Sequence, residues 1–287
     1  MRQFPLFGVL LLVPALALVL LTGCPGTPPP PATSPPVKTG GDKTDAGKAE
    51  KITAPTDGTV TGVVHFDGEV PKAVVEAAIA NHKTDKEKCM AGGGNHILEQ
   101  KWLVSAKGGV ANVVISLAPA EGKEYDVSAE LKAKWEKRQF ILDQPFCAYT
   151  PHVVTLYAGV QPLLVKNTAA FPHNVKINGG IKNGDFDSGN MAPNSELKPM
   201  TFKHDTKPIT MQCSLHGWMT GKIVTFQHPY FATTKEDGSF EILDVPSGVE
   251  LRVFMWHESF EKAKQVGTVT AKAGAKTSIE SDKLKIK

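Results

Sequence analysis

Three side chains with soft or borderline metal-binding atoms lie within one seven-residue stretch. It reads Cys213-Ser-Leu-His216-Gly-Trp-Met219 and contains no carboxylate. Thiolate and thioether sulfur favour Cu(I), whereas imidazole binds both Cu(I) and Cu(II). Mononuclear electron-transfer copper sites use two His and one Cys in a near-trigonal plane, with a weak axial Met. The stretch therefore supplies three of these four ligands and lacks the second His.

We expect the second imidazole to come from His173, on an earlier strand. Residues 171–177 read Phe-Pro-His-Asn-Val-Lys-Ile, a polar dipeptide that runs into an alternating strand pattern. The separation from His173 to Cys213 is 213 − 173 = 40 residues, which leaves room for a few strands and turns. The strand after His173 is therefore predicted to pack beside the strand that leads into Cys213.

These residues together resemble the cupredoxins, and the Cys-x-x-His-x-x-Met spacing is similar to the amicyanin-like branch. The resemblance implies a Greek-key β-sandwich with a mononuclear type 1 copper site. Its equatorial ligands would be His173, Cys213 and His216. Met219 would be the axial ligand, and Asn174 would tie the two ligand loops together and steady the thiolate. Such outer hydrogen bonds affect a metal site nearly as strongly as the ligands themselves.

Two further expectations concern the surroundings of the ligands. Leu215 stands where the family usually has Pro, which has no N–H. We expect the Leu215 N–H to donate to the Cys213 sulfur and to raise the reduction potential. The resemblance also implies that His216 lies at the surface and carries the electron out. Gly217 and Trp218 flank it as a predicted docking patch, although Trp218 could instead pack under the loop.

Each of these residues also has an ordinary structural explanation. Cys213 could be a buried free thiol or half of a disulfide, and Met219 could fill core space. Structural zinc is a further alternative, although Met is a poor zinc ligand. The combination of the ligands in this order favours copper.

The first 23 residues have the features of an export signal. A basic start is followed by a Leu-, Val- and Ala-rich run and then by Leu21-Thr-Gly-Cys24. This ending resembles the bacterial lipobox, which implies cleavage before Cys24, acylation of that Cys, and anchoring on the periplasmic side of a membrane. An uncleaved span is the alternative, because the apolar run nears bilayer length. Residues 24–56 are Pro-rich and then polar, which predicts a semi-extended tether.

Two cysteines remain, Cys89 and Cys147. An exported compartment allows a disulfide between them, and we favour this pairing. The alternative is a second metal site that uses Cys147 with His152, or Cys89 with His82 and His96. If there is no such site, we expect the His82 and His96 side chains to lie at the surface without a functional role.

Short runs of β-branched residues between turn residues predict an all-β fold. Residues 97–227 are assigned to the cupredoxin domain. Its predicted helix is Ser128–Arg138, with Ser128 as N-cap. Residues 73–80 predict a short helix, and residues 81–96 a charged loop. The predicted strands include Trp102–Ser105, Ala111–Leu117, Phe140–Leu142, Val153–Tyr157, Leu163–Val165, Leu197–Lys203, Ile209–Cys213 and Lys222–Phe226.

Residues 228–287 are predicted to form a second, smaller β-sandwich. The run Thr-x-x-Asp-Gly-x-Phe-x-Ile-x-x-Val-Pro-x-Gly, which starts at Thr234, looks like the carboxypeptidase regulatory-like (transthyretin-like) module. Residues 57–96 begin with a Val-x-Gly-x-Val strand that looks like the first strand of the same module. One hypothesis is that the two ends of the chain form one sandwich around an inserted copper domain. Sequential modules are the alternative.

The predicted function is that of a lipid-anchored blue copper protein that carries single electrons. Its partners would be redox proteins such as a periplasmic dehydrogenase or a cytochrome. There are two alternatives. One is a copper-holding or copper-delivery protein, and the other is an anchored adhesion or polysaccharide-binding protein. A fully ligated metal leaves no open position for a substrate, so we do not expect an enzyme. The net charge of +3 includes no basic cluster interleaved with aromatic residues, so nucleic acid is not an expected partner.

Overall fold

Strands make up most of the regular structure in the computed structural model, which describes residues 49–287. The strands are β1 (Glu50–Ile52), β2 (Gly58–Val63), β3 (His65–Phe66), β4 (Val114–Ala118), β5 (Lys123–Tyr125), β6 (Phe140–Leu142), β7 (Val153–Tyr157), β8 (Leu163–Asn167), β9 (Lys176–Asn178), β10 (Asp185–Asp187), β11 (Ser195–Glu196), β12 (Ile209–Gln212), β13 (Thr220–Phe226), β14 (Phe231–Thr233), β15 (Ser239–Val245), β16 (Glu250–Trp256), β17 (Lys264–Thr270), β18 (Lys276–Ser278) and β19 (Lys285–Ile286). The helices are α1 (Ala77–Ala80), α2 (Lys86–Met90), α3 (Ala129–Glu136) and α4 (Gly180–Asn183), with one 3-10 turn at Gly94–Ile97. The all-β prediction is confirmed.

The export signal, Cys24 and most of the tether lie outside the described residues. Among residues 49–287, the helices are all too short or too polar to cross a membrane.

Two sheets in the middle of the chain form what we call the central sandwich. One has the strand order β10-β9-β12-β13-β7, and the other has the order β11-β8-β6. Strand β9 pairs antiparallel with β12, so the strand after His173 lies beside the strand that leads into Cys213. The buried core between the sheets includes Leu156, Val165 and Ile223.

Strands from both ends of the chain form a second structure, the terminal sandwich. One of its sheets has the order β15-β2-β18, and the other has the order β14-β4-β16-β17. Strand β2 pairs antiparallel with β15 and parallel with β18, so the N-terminal segment shares a sheet with C-terminal strands. Val60, Phe240 and Leu251 are among the residues that fill its core. The central sandwich is therefore inserted between the two ends of this one.

The predicted start of the cupredoxin domain at residue 97 does not agree with the sheets that the strands join. Strand β4 falls within the range 97–227, yet it pairs with β14 and β16 of the terminal sandwich. Its Ile115 and Leu117 side chains are fully buried in the terminal core. Helix α3 begins after Ser128, whose hydroxyl accepts a hydrogen bond from the Leu131 N–H, but Leu131 and Trp135 also pack on the terminal core. Burial against terminal strands thus decides where this segment belongs.

Three local predictions differ from the structure. Residues 81–96 contain α2 and the 3-10 turn instead of a plain loop. The predicted strand Trp102–Ser105 is reduced to a single bridge between Val104 and Val110. Likewise, one bridge from Met200 to Leu163 is what the structure has of the predicted strand Leu197–Lys203, and β11 ends at Glu196, directly before it. Pro199 explains the last difference in part, because it has no N–H to donate to a ladder.

Residues 74–99 form a compact excursion that we call the cover segment. Its two ends are joined by backbone hydrogen bonds, from Glu76 N–H to the Ile97 carbonyl (2.8 Å) and from Glu99 N–H to the Val74 carbonyl (2.9 Å). Helices α1 and α2 lie between these ends, and the Ile79 side chain is buried in the core of the central sandwich. A disulfide between Cys89 and Cys147 fixes α2 to the loop before β7. The cover segment is therefore attached to the central sandwich covalently and by packing.

Candidate metal centre

Residues 213–219 form the turn between the antiparallel strands β12 and β13. The Cys213 N–H donates to the Met219 carbonyl at 2.9 Å, and the Met219 N–H donates to the His216 carbonyl at 2.8 Å. These two bonds close the loop on itself, so its ligand side chains are held by backbone geometry. The Cys213, His216 and Met219 side chains are all buried.

His173 lies in the connection between β8 and β9. Its backbone exchanges two hydrogen bonds with Met191, at 3.3 Å and 2.7 Å. The Asn167 side-chain amide donates to the carbonyls of Phe171 and Met191, which fixes the same connection from the other side. The backbone around His173 is therefore held by both Met191 and Asn167, and the His173 side chain is completely buried.

Three potential ligand atoms converge at one point. The Nδ1 atoms of His173 and His216 lie 3.1 Å apart, and the Cys213 Sγ lies 3.9 Å from the His216 Nδ1. The ligand atoms of these three residues all lie within 4.8 Å of one another. Met219 is 2% exposed and belongs to the same buried cluster as Cys213. The structure thus brings together the two imidazoles and the thiol, with the thioether residue in the same core.

Burial makes the two imidazoles suitable metal ligands. Burial, followed by the nearby His216, lowers the pKa of His173 to about 4. Burial also lowers the pKa of His216, although Asp85 opposes this effect. Both rings are therefore neutral at physiological pH, each with a lone pair available, and Cys213 is a free thiol. Two neutral imidazoles, a thiol and a thioether, with no carboxylate at the point of convergence, fit copper.

Asn174 connects the two ligand loops. Its side-chain oxygen accepts a hydrogen bond from the Ser214 N–H at 2.6 Å, directly after Cys213. Its amide donates to the Ser214 hydroxyl and to Asp187, both at 3.2 Å. The Tyr149 hydroxyl donates to the Asn174 carbonyl at 2.9 Å from below. The loop that carries Cys213 is therefore hydrogen-bonded to the connection that carries His173.

Leu215 does not make the contact that we expected. Among the described residues, the polar contact found for the Cys213 Sγ is the one to His216, and the Leu215 N–H makes no hydrogen bond to it. The Leu215 side chain is 42% exposed. The argument that this N–H raises the reduction potential therefore has no support from the geometry.

His216 does not lie at the surface, which corrects the expected electron exit. The residue is 1% exposed because the cover segment lies over it. Its Nε2 is 3.4 Å from the Asp85 Oδ2, and the His82 ring lies 5.8 Å away, centroid to centroid. Trp218 is half-buried and donates from Nε1 to the Cys147 carbonyl at 3.1 Å, while Gly217 is exposed. The Gly217 and Trp218 patch thus borders the cover segment, and Trp218 packs partly under it.

Sequence reasoning missed Asp85, because residues 81–96 read as an ordinary charged loop, and it expected His82 either in a second metal site or at the surface without function, whereas the His82 ring is half-buried beside His216. His82 accepts a hydrogen bond from the Asp85 N–H at its Nδ1 (3.0 Å), and its ring lies 5.1 Å from that of Trp218. The signal that could have found both residues is Cys89, because a disulfide to Cys147 brings this loop back to the central sandwich.

The disulfide also excludes the alternative second metal site. The sulfurs of Cys89 and Cys147 are bonded to each other at 2.06 Å and are not available as ligands, even though both lie near a ring nitrogen of His216. His152 instead contacts Glu258, with its Nε2 2.9 Å from the carboxylate. His96 packs against the Phe146 ring.

No protein-family profile and no curated protein matches the sequence. Similar solved structures include the copper-containing nitrite reductase of Thermus scotoductus SA-01, with 15% identity and a TM-score of 0.28 over 32% of this chain and 23% of that chain. A purple cupredoxin from Nitrosopumilus maritimus has 16% identity and a TM-score of 0.26 over 30% of this chain and 98% of its own. An oxidised amicyanin variant has 21% identity and a TM-score of 0.28 over 33% and 89%.

These neighbours are two cupredoxins and a copper-containing nitrite reductase. This chain spans less than a quarter of the length of the nitrite reductase. Similarities at such TM-scores carry no weight for fold or function. The functional conclusion therefore depends on the geometry of the site.

Proposed function

We propose that this protein is a mononuclear copper protein that carries single electrons. Its ligands would be His173, Cys213 and His216, with Met219 in the axial position. The observation that carries the proposal is the buried convergence of two imidazole Nδ1 atoms and one thiol sulfur. Copper at this position would supply a one-electron couple between Cu(I) and Cu(II).

The residues around the ligands favour a carrier over a delivery protein. A delivery protein must present its metal to the ligands of a partner, whereas each of these four side chains is at most 2% exposed. The closed loop and the Asn174 hydrogen bonds hold the ligands in one arrangement. The same burial leaves no access for a substrate, so we propose a carrier and not an enzyme.

The location and the partners complete the proposal. We place the protein on the periplasmic side of a bacterial membrane, anchored through a lipid on Cys24. The Pro-rich tether would extend the folded part away from the bilayer. Its partners would be redox proteins such as a dehydrogenase or a cytochrome.

The visible absorption spectrum of the whole chain, purified in detergent and supplied with Cu(II), tests this proposal. We expect an intense band from charge transfer between the Cys213 thiolate and Cu(II). The band should bleach with ascorbate and return with ferricyanide. The variants Cys213→Ala and His173→Ala should lose it.

A matched control is Met200→Leu, because Met200 packs on the same core and is not a predicted ligand. This variant should keep the band. A colourless protein after Cu(II) and oxidant would remove the proposal. A band that disappears within minutes when a Cu(II) chelator is added would instead favour copper delivery.

A further inference from the structure

We propose that Asp85 is a positioning residue for the metal ligand His216, and that its carboxylate accepts the Nε2–H of that imidazole. The inference rests on the proposed function. It adds to the site a residue that the cover segment contributes from outside the central sandwich.

The first step is the protonation pattern of His216. A neutral imidazole carries one N–H, and a metal on Nδ1 leaves the proton on Nε2. The Nε2 of His216 is buried, and it makes no hydrogen bond to any residue in the described range. A buried N–H without an acceptor costs free energy, so the ligand needs a partner at this atom.

The second step is that one acceptor lies within reach. The Asp85 Oδ2 is 3.4 Å from the His216 Nε2, an ion-pair distance that falls short of hydrogen-bond geometry. A small rotation of the imidazole or the carboxylate would align the two groups. Metal-ligating His residues commonly donate their second N–H to a carboxylate, which fixes the ring orientation and raises the basicity of the ligand.

The third step is that Asp85 is itself held in place. Its Oδ1 accepts a hydrogen bond from the Lys88 ammonium at 3.0 Å. The Thr84 hydroxyl donates to the Oδ2 at 3.4 Å, and the Asp85 N–H donates to His82. Asp85 is the N-cap residue of α2, but its side chain makes no capping hydrogen bond. The carboxylate is therefore directed at the Lys88 and His216 side chains instead of at the backbone N–H groups of α2.

The consequence concerns the balance between the two oxidation states. A negative charge bonded to a ligand imidazole stabilises Cu(II) relative to Cu(I), which lowers the reduction potential. The cover segment strengthens the effect because it replaces water at the Nε2 edge of the ring with a group of fixed orientation.

The test is a redox titration of the copper-loaded whole chain with Asp85→Asn, Asp85→Glu and the control Glu87→Gln. Glu87 lies on the same short helix and is exposed, so its variant removes the same charge without the contact. We expect Asp85→Asn to lower the ratio of Cu(II) to Cu(I) affinity at least tenfold, which is 59 mV for one electron. Asp85→Glu should restore most of the difference, and Glu87→Gln should have little effect.

A second readout separates positioning from general support of the fold. Cu(I) is diamagnetic, so NMR can detect the Nε2–H of His216 in the reduced protein. We expect a slowly exchanging signal in the unaltered chain and in Asp85→Glu, and fast exchange in Asp85→Asn. Equal potentials and equal exchange in Asp85→Asn and Glu87→Gln would overturn the inference. A chain that never forms the visible band would instead overturn the proposed function on which it rests.

Discussion

Asn174 is the residue whose hydrogen bonds do most to join the two ligand loops. Its side chain is 3% exposed and makes three hydrogen bonds across 13 to 40 residues of sequence. Among them, the bond from the Ser214 N–H is the shortest, and Ser214 directly follows the proposed ligand Cys213. The position of the thiol thus depends on a side chain next to His173 in the sequence.

We predict that Asn174→Ala lowers the free energy of unfolding by about 1–3 kcal/mol, because buried donors and acceptors lose their partners. It should also speed the loss of copper to a chelator. Denaturant unfolding of the metal-free protein measures the first effect, and the fading of the visible band measures the second. The control Asn190→Ala removes an exposed amide from the same region. Equal stability of the two variants would show that the Asn174 bonds contribute nothing to the fold.

The convergence of His173, Cys213 and His216 could be predicted from the sequence, because each proposed ligand is a residue type that binds soft metals and three of the four stand in one short motif. Cys213, His216 and Met219 are spaced at three-residue intervals, and His173 opens a strand. The exposure of His216 could not be predicted in this way. It depends on residues 131 positions earlier (216 − 85 = 131), which reach the site through tertiary folding alone.

At the scale of the elements, the cover segment changes the character of the site. It places the Asp85 carboxylate and the His82 ring beside the Nε2 edge of the His216 ring. Its helices have four and five residues and have little stability on their own. The disulfide and the buried Ile79 must therefore hold the segment in place.

We predict that the double variant Cys89→Ser, Cys147→Ser lowers the free energy of unfolding by about 2–4 kcal/mol, since the cross-link no longer restricts the unfolded chain. The cover segment should also open more often. Hydrogen exchange of residues 77–90, followed by mass spectrometry, should therefore become faster, and chelators should remove copper sooner. The substitution of both cysteines avoids thiol reductants, which would also reduce the copper. Lys86→Ser, on the exposed face of α2, is the control.

If exchange in residues 77–90 stays as slow in the double variant as in Lys86→Ser, packing alone holds the segment. The disulfide would then have no part in closing the site.

At the scale of the whole molecule, the two ends of the chain meet in one sheet. Strand β2 lies between β15 and β18, more than 170 residues later in the sequence. Gly62, the second glycine of this strand, shows how closely the neighbouring side chains approach it. A Cβ at Gly62 would lie 2.7 Å from the Leu284 Cδ1 and 2.7 Å from the Phe240 Cε1.

We therefore predict that Gly62→Ala lowers the free energy of unfolding by about 1–3 kcal/mol through overpacking. Both contact residues are buried and come from the C-terminal part of the chain, Phe240 from β15 and Leu284 from the position directly before β19, so the cost reports directly on the packing of β2 against that part. Thr61→Ala, which changes the opposite face of the same strand, should cost less. Denaturant unfolding compares the two variants. A Gly62→Ala protein as stable as the unaltered chain would contradict the packing of β2 against the C-terminal strands.

The pairing of the chain ends could be proposed from sequence, because residues 57–96 and 228–287 both carry features of one β module. The position of β4 could not be proposed in the same way. Its run Val-Ile-Ser-Leu-Ala fits a strand in either sandwich, since alternation sets the face that is buried and not the sheet that is joined. Only the packing of Ile115 and Leu117 on the terminal core decides between them.

A buried pair links the two sandwiches. His152 immediately precedes β7 of the central sandwich, and Glu258 follows β16 of the terminal one. The His152 Nε2 lies 2.9 Å from the Glu258 carboxylate, and the side chains are 3% and 13% exposed. Burial alone would raise the pKa of Glu258, but the hydrogen bond to His152 and the charge interactions with His152, His257 and Lys222 together outweigh it and hold the pKa below its ordinary value.

The lowered pKa of Glu258 determines the direction in which the stability of the fold changes with pH. The unfolded chain binds the proton more readily than the folded one, so the pair stabilises the fold above the ordinary Glu pKa of about 4.3. That contribution is lost as the pH falls through the lower pKa of the folded state. We predict that Glu258→Gln costs about 1–3 kcal/mol at neutral pH. The variant should lose less further stability than the unaltered chain on acidification.

Denaturant unfolding at neutral pH and on the acid side of the Glu titration, with Glu261→Gln as an exposed control, measures both effects. The control should match the unaltered chain at each pH. If the pair couples the sandwiches, the variant should also show two unfolding transitions, one for each core, where the unaltered chain shows one. Parallel pH profiles for Glu258→Gln and the unaltered chain would mean that packing among Val114, Val153 and Trp256 joins the sandwiches without help from the pair.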